Sequence, residues 1–235
     1  MTPTPPTRGD APAPGAAPDP RIPRIPRVAC VARVAVAALL AFAVCAIAMA
    51  AGATARSDDL GLRWLHVHAT PSLEAAARWL AHAGYGRGVL PFDALLALAL
   101  LVLRRRRDAA FATVALGGGL LLNKALKLAF ARPRPVLDWP VGAVPASFAF
   151  PSGHAMATAT LATTLTLLAW PSRRRWPVVA IAWGFALLVG VSRVQLGAHY
   201  PSDVIAGWAM GVAWPALSWT ASRSAQPAHR AAPPV

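Results

Sequence analysis

Charge is what this chain has least of. Only 14% of its 235 residues are charged, where a soluble domain carries about a quarter. Acids are scarcer still, with 9 Asp and Glu against 23 Lys and Arg, and no carboxylate cluster suited to magnesium stands in the chain. There are 2 cysteines, Cys30 and Cys45. Both lie in or beside one apolar run, where a helix holds them roughly 22 Å apart at 1.5 Å per residue, too far to bridge each other. Zinc-ligand spacing and basic residues interleaved with aromatics are missing too, so the net charge of +14 does not point to nucleic acid.

What the chain has in abundance is apolar sequence. Hydrophobic residues make up 56% of it and mean hydropathy is +0.48, the balance of a polytopic membrane protein. The arginines fall in short clusters between apolar runs, and this pattern explains the positive charge as loops held in the cytoplasm.

Residues 1–27 are rich in Pro and Ala and end in spaced arginines. Such a segment cannot build a core and is expected to be a disordered cytoplasmic tail. Val34 to Ala53, "VAVAALLAFAVCAIAMAAGA", is long enough to cross about 30 Å of hydrocarbon. A cleaved signal peptide is the competing reading, given the basic stretch before it and the small residues at its end. The long tail and the length of the run favour an uncleaved anchor. Asp58 to Gly86 sets apolar residues at helical spacing among Arg, Glu and His, as in a segment lying on the membrane surface.

Five further runs follow, Val89 to Leu103, Ala109 to Phe130, His154 to Trp170, Pro177 to Val191 and Val204 to Trp219. The expected fold is therefore all-α, a bundle of about six transmembrane helices over 28–220, followed by a cytoplasmic tail over 221–235. "RRRR" at 104–107 and "RRR" at 173–175 put those turns and both termini in the cytoplasm. Trp64, Trp79 and Trp139 then mark the outer interface, and Trp170, Trp176 and Trp219 the inner one.

That topology gathers three polar clusters on the outer face: "NKALKLAFARPRP" from Asn123, "FPSGH" from Phe150 and "SRVQLGAHYPSD" from Ser192. Lys127, Arg132, Arg134 and Arg193 are cations on the side where cations are depleted. One alone reads as a snorkelling side chain. Four converging describe a receptor for a dense anion such as phosphate. Ser152 is a natural N-cap, Gly153 lets backbone approach a ligand, and the helix start after them favours an oxyanion. Pro201 suits the first residue of the last helix. His199 then precedes that helix and Asp203 falls in its first turn, close enough for the carboxylate to fix the imidazole tautomer and leave a lone pair free to attack. Asn123, four residues before Lys127, either orients that lysine or satisfies a neighbouring helix. Arg132 binds a second phosphate or headgroups, Gly207 and Gly211 are assigned to helix packing, and Asp93 to the dipole at its helix start. Lys124 has no assigned role.

Lys127 with Arg134-Pro135, then "PSGH", then Ser192-Arg193 with His199 and Asp203, resemble the three-part signature of the type 2 phosphatidic acid phosphatase superfamily, in its membrane lipid phosphatase branch. The resemblance implies that His199 is the nucleophile of a phosphohistidine intermediate, oriented by Asp203. It makes His154 the acid for the leaving group and then the base for water. It also has Lys127, Arg134, Arg193, Ser152 and the Gly153 backbone hold the phosphoryl oxygens, without metal or other cofactor.

The function this implies is a membrane phosphatase releasing phosphate from a lipid phosphate or polyprenyl pyrophosphate at the outer leaflet of a bacterial-type inner membrane. Undecaprenyl pyrophosphate stands first among substrates. Phosphatidic acid, phosphatidylglycerol phosphate and lipid A, the last for phosphatase or phosphotransferase action, are the alternatives. From another class, a catalytically silent lipid-binding protein or a transporter would keep the same anion pocket. The intact His154, His199 and Asp203 set argues against silence.

Overall fold

The computed structural model of the protein describes residues 27–137 and 146–224. The Pro-rich tail up to residue 26, Trp139, and the chain from 225 onward lie outside the described residues. Within them the structure is helical, with no strand: α1 Val28–Ala50, α2 Ala55–Val67, α3 Pro71–Ala83, α4 Val89–Val102, α5 Arg106–Phe130, α6 Gly153–Ala169, α7 Arg175–Gln195 and α8 Pro201–Ser224. The apolar runs of the sequence become α1 and α4 to α8, and the polar segment between the first two becomes α2 and α3. Helices α1, α5 and α7 are long and apolar enough to cross a membrane on composition alone. α4 is a shorter apolar helix, and α6, at 17 residues, rises about 26 Å.

α6 lies at the centre, against α5, α7 and α8. Its stretch "AMATATLATT" has few large side chains, and Ala155, Ala159, Thr160 and Thr164 are buried. Thr158, Thr163 and Thr164 return their hydroxyl protons to their own helix, as Thr164 Oγ1 does to Thr160 O at 2.8 Å, which satisfies them without water. Small residues let backbones meet closely where lipid leaves little hydrophobic gain between helices. Gly207 and Gly211 of α8 supply the other half of that contact, because a Cβ at Gly211 would stand 2.8 Å from Met156 O and 2.6 Å from Ala159 Cβ.

Interfacial tryptophans divide into two kinds. Trp64, Trp79 and Trp176 are exposed, as belt residues are. Trp219 is buried at 2% exposure, packs edge-on against Phe111 and lies beneath the Arg223 guanidinium. It is a core residue and not part of a belt, because α8 turns that face toward α1 and α5. Asp93 departs from expectation as well. It falls beyond the first turn of α4, buried, with Oδ1 unpartnered, so it cannot act on the helix dipole as a first-turn acid does.

At one end of the bundle Phe42 of α1, Phe130 of α5 and Phe150 pack with ring centroids 4.9 to 6.1 Å apart. This knot clamps the segment leaving α5 against the segment entering α6. α2 and α3 lie across the same end, against α7 and α8.

Candidate active site

Two chain reversals build the site. α5 stops at Ala131, which takes a left-handed conformation at φ 43°, and the chain leaves with Arg132 and Arg134. Ala149 N–H donates to Arg132 O at 2.8 Å, pairing the outgoing strand of this loop with the returning one before α6 begins. α7 ends at Gln195, and the turn after it passes through Gly197, whose φ of 62° suits a residue without Cβ. Ala198 and His199 N–H both donate to Arg193 O, at 3.0 and 3.2 Å, so the turn that follows α7 fixes His199. Ser152 N–H donates to Asp203 O at 2.9 Å, tying the start of α6 to the start of α8.

His199 is 2% exposed. Its Nε2 lies 3.3 Å from Arg134 Nη1. A guanidinium can only donate, so Nε2 carries a lone pair and the imidazole proton sits on Nδ1. Nδ1 faces Asp203 Oδ2 at 3.5 Å, beyond ordinary hydrogen-bond length, and makes no hydrogen bond. This is longer than the sequence leads one to expect, and the reason is competition. Asp203 Oδ1 accepts from Arg132 Nη1 at 2.5 Å, and Oδ2 from Tyr200 N–H at 2.9 Å. Burial, then the nearby Arg134 and Lys127 charges, push the His199 imidazole down to about 4, against the pull of Asp203.

The cations converge as expected. Arg134 is locked by Ser147 O at 2.6 Å, Ser147 Oγ at 3.0 Å and Ala198 O at 2.6 Å. Lys127 Nζ donates to Phe148 O, and its side chain passes Gly153, where a Cβ would stand 3.8 Å from Lys127 Cε. Arg193 is buried, with Nε unpartnered. Its charge and those of Arg134 and His199 lie within electrostatic reach of His154, and the His154 ring stacks on Tyr85 at 4.9 Å.

Other residues behave differently from their sequence reading. Ser152 occupies the N-cap position of α6, but its side chain makes no capping bond and Oγ is buried and unpartnered. Asn123 Nδ2 turns to Pro151 O at 3.4 Å and so serves the neighbouring helix start. Lys124 is exposed. Arg132 is not open to a ligand phosphate or to headgroups, because it is ion-paired with both Asp58 and Asp203 and lies over the Tyr200 ring at 4.1 Å. Burial opposes its charge, yet the two carboxylates outweigh that and raise it above an ordinary arginine. Asp58 and Tyr85 have no counterpart in the sequence reading. Asp58 was legible only as one of two adjacent acids in a surface helix, and Tyr85 as a turn residue between helices.

A buried histidine and a half-buried one, ringed by three cations at a helix N-terminus, have counterparts in known proteins. A family model described as PAP2 superfamily matches residues 108–226. The chain belongs to the PAP2 superfamily. Phosphatidylglycerophosphatase B of Bacillus subtilis is 30% identical over 176 residues, covering 73% of this chain and 86% of that protein. Undecaprenyl-diphosphatase of Sulfolobus acidocaldarius is 32% identical over 148 residues, covering 60% of this chain and 65% of that protein. Lipid A 1-phosphatase of Rhizobium etli is 40% identical over 109 residues, 43% of this chain and 44% of that protein. Among solved structures, a transmembrane PAP2-type phosphatidylglycerolphosphate phosphatase from Bacillus subtilis superposes with a TM-score of 0.73 at 28% identity, covering 82% of this chain and 97% of that one. Aquifex aeolicus LpxE superposes with a TM-score of 0.55 at 25% identity, covering 67% of this chain and 92% of that one. This PAP2 protein is thus an integral membrane hydrolase of phosphate esters.

Proposed function

We propose that the protein removes a terminal phosphate from a membrane lipid through a phosphohistidine on His199. The observation that carries this reading is the His199 Nε2 lone pair, held beside Arg134 and aimed away from Asp203. In the first step Nε2 attacks phosphorus, the bond to the leaving oxygen breaks, and His154 supplies its proton. In the second, His154 takes a proton from water, whose oxygen attacks phosphorus and releases phosphate and neutral His199.

Lys127, Arg134 and Arg193, with Ser152 Oγ and the Gly153 N–H, bind the equatorial oxygens. Phosphoryl transfer depends mostly on positioning and charge neutralisation, which these groups supply. Buried polar atoms are rarely left unpaired, and Ser152 Oγ and Arg193 Nε are so here, as suits donors kept for a ligand. Asp203 holds the Nδ1 proton and balances the imidazolium character of the intermediate.

The tail has a path on the same side of the fold. An apolar groove of about 540 Å3 runs between α4, α6 and α7, past Val89, Phe92, Thr158, Ala162, Ile181 and Phe185. Thr158 lies one turn from His154 and donates to its carbonyl at 2.8 Å. The groove therefore begins about one helical turn from His154, and its apolar lining suits an acyl or prenyl chain. The likeness to phosphatidylglycerophosphatase B over most of both chains supports a reading in which phosphatidylglycerophosphate comes ahead of undecaprenyl pyrophosphate as the substrate, with phosphatidic acid and lipid A behind. The arginine clusters at 104–107 and 173–175 favour an active site on the extracytoplasmic side and termini in the cytoplasm.

The deciding experiment follows phosphate release by wild type and His199→Ala, with EDTA present, from phosphatidylglycerophosphate, undecaprenyl pyrophosphate and phosphatidic acid. The expected result is release by wild type alone, fastest from the first lipid. Release by the variant at the wild-type rate would sink the nucleophile assignment, and no release from any lipid would sink the substrate class.

A further inference from the structure

A buried carboxylate that lies outside the three clusters touches the catalytic corner from another helix. Asp58 of α2 is 1% exposed. Its Oδ1 accepts the Ser202 N–H at 2.9 Å. Its Oδ2 accepts Ser202 Oγ–H at 2.7 Å and Arg132 Nη2 at 2.8 Å. Arg132 in turn donates through Nη1 to Asp203 Oδ1 at 2.5 Å. Two carboxylates thus share one guanidinium, with Ser202 donating to Asp58 and accepting from Arg132 Nη1 at 2.8 Å.

The charge count explains what this achieves. Arg132 paired with Asp203 alone would cancel the carboxylate that faces His199. With Asp58 taking the other face of the guanidinium, the trio keeps a net negative charge, and Asp203 stays an effective acceptor for Nδ1–H. The geometry points to Asp58 as a positioning residue for the reaction: through Arg132 and Ser202 it holds Asp203 against His199 Nδ1 and preserves the charge there that fixes the reactive tautomer. This rests on the reading of His199 as nucleophile. The other charged groups around His199 are Arg134 after α5, Lys127 of α5 and His154 of α6. All of them oppose a protonated ring, and Arg134, facing Nε2, favours the same neutral tautomer as Asp203; Asp58 acts on that tautomer only through Arg132 and Asp203.

A purely structural Asp58 would cap the start of α8 and nothing more. Such a role changes melting temperature but leaves the ring proton where it is. The test is 15N nuclear magnetic resonance of histidine-labelled protein in lipid nanodiscs, with His199→Ala identifying the His199 signals. Wild type should show a single neutral tautomer protonated at Nδ1. Asp58→Asn, nearly isosteric, should show a mixture of the two neutral tautomers, together with a kcat about tenfold lower and a KM within twofold on phosphatidylglycerophosphate, since Asp58 touches no substrate. Arg132→Lys, which reaches only one of the two carboxylates, should mix the tautomers too and serves if Asn at 58 prevents folding. An unchanged tautomer in the variant that folds overturns the inference, whatever happens to the melting temperature. The spectrum needs no turnover, so a wrong substrate leaves this test intact, and full activity in His199→Ala would overturn the nucleophile reading separately.

Discussion

On the proposed reading His199 and His154 do opposite work, one as nucleophile and the other as acid and then base, and both stand among the cations of the site. His199 is enclosed and held down to about 4 by burial, so at neutral pH it is the free base that attack requires. The neutral form exists above that value and is lost as pH falls through it. The acid limb of kcat/KM is therefore expected near pH 4, well below the ordinary histidine range of about 6.5. Phosphate release followed from pH 3 to 9 checks this, and an acid limb near 6.5 would contradict the burial argument. His154→Ala removes a general acid, worth about 10² to 10⁴ in rate. Turnover should fall by that factor, and acid-quenched samples should hold more phosphohistidine than wild type if the leaving group still departs. At Arg134 the fork engages Ser147 and Ala198 while bordering His199 Nε2. Lysine cannot reproduce that geometry, and Arg134→Lys should lower kcat/KM at least tenfold in the same assay.

At the scale of helices, the contact of α6 with α8 and the groove between α4, α6 and α7 carry separate predictions. A Leu at Gly211 would drive its side chain into Met156 O and Ala159. Overpacking of this kind costs roughly 1–3 kcal/mol, so Gly211→Leu should lower the melting temperature in detergent, where Gly117→Leu, with open space at its Cβ, should not. Ala162→Trp would fill the groove without reaching the histidines. It should raise KM for a long-chain lipid phosphate and leave hydrolysis of a short, water-soluble phosphate ester unchanged. Helices were also the elements most open to sequence reading. Their apolar runs and the Pro201 start are local signals, carried by neighbouring residues. The Ser152 side chain and Trp219 were misjudged because N-cap and belt preferences are tendencies that tertiary packing overrides. Asp58 was missed for a different reason. Its partners Arg132 and Ser202 are 74 and 144 residues away, and no periodicity or motif spans such a separation.

For the whole molecule, the arginine turns and the catalytic loops lie at opposite ends of the helices that connect them. In a variant lacking Cys30 and Cys45, a cysteine at Ser147 should react with a membrane-impermeant thiol reagent added outside intact cells. A cysteine at Arg105 should react only after the membrane is opened. The reverse pattern would place the site on the cytoplasmic side and remove undecaprenyl pyrophosphate recycling from the outer leaflet as a role.

The backbone bond from Ser152 N–H to Asp203 O joins the helix that carries His154 to the one that carries Asp203. Phosphate chemistry is thereby confined to a single corner, while α4 and the far wall of α7 shape only the tail groove. Substitutions on those walls can change which lipid is accepted without disturbing how its phosphate is removed. On the proposed reading, tail preference and phosphate removal are separable traits of this scaffold, open to change one helix at a time.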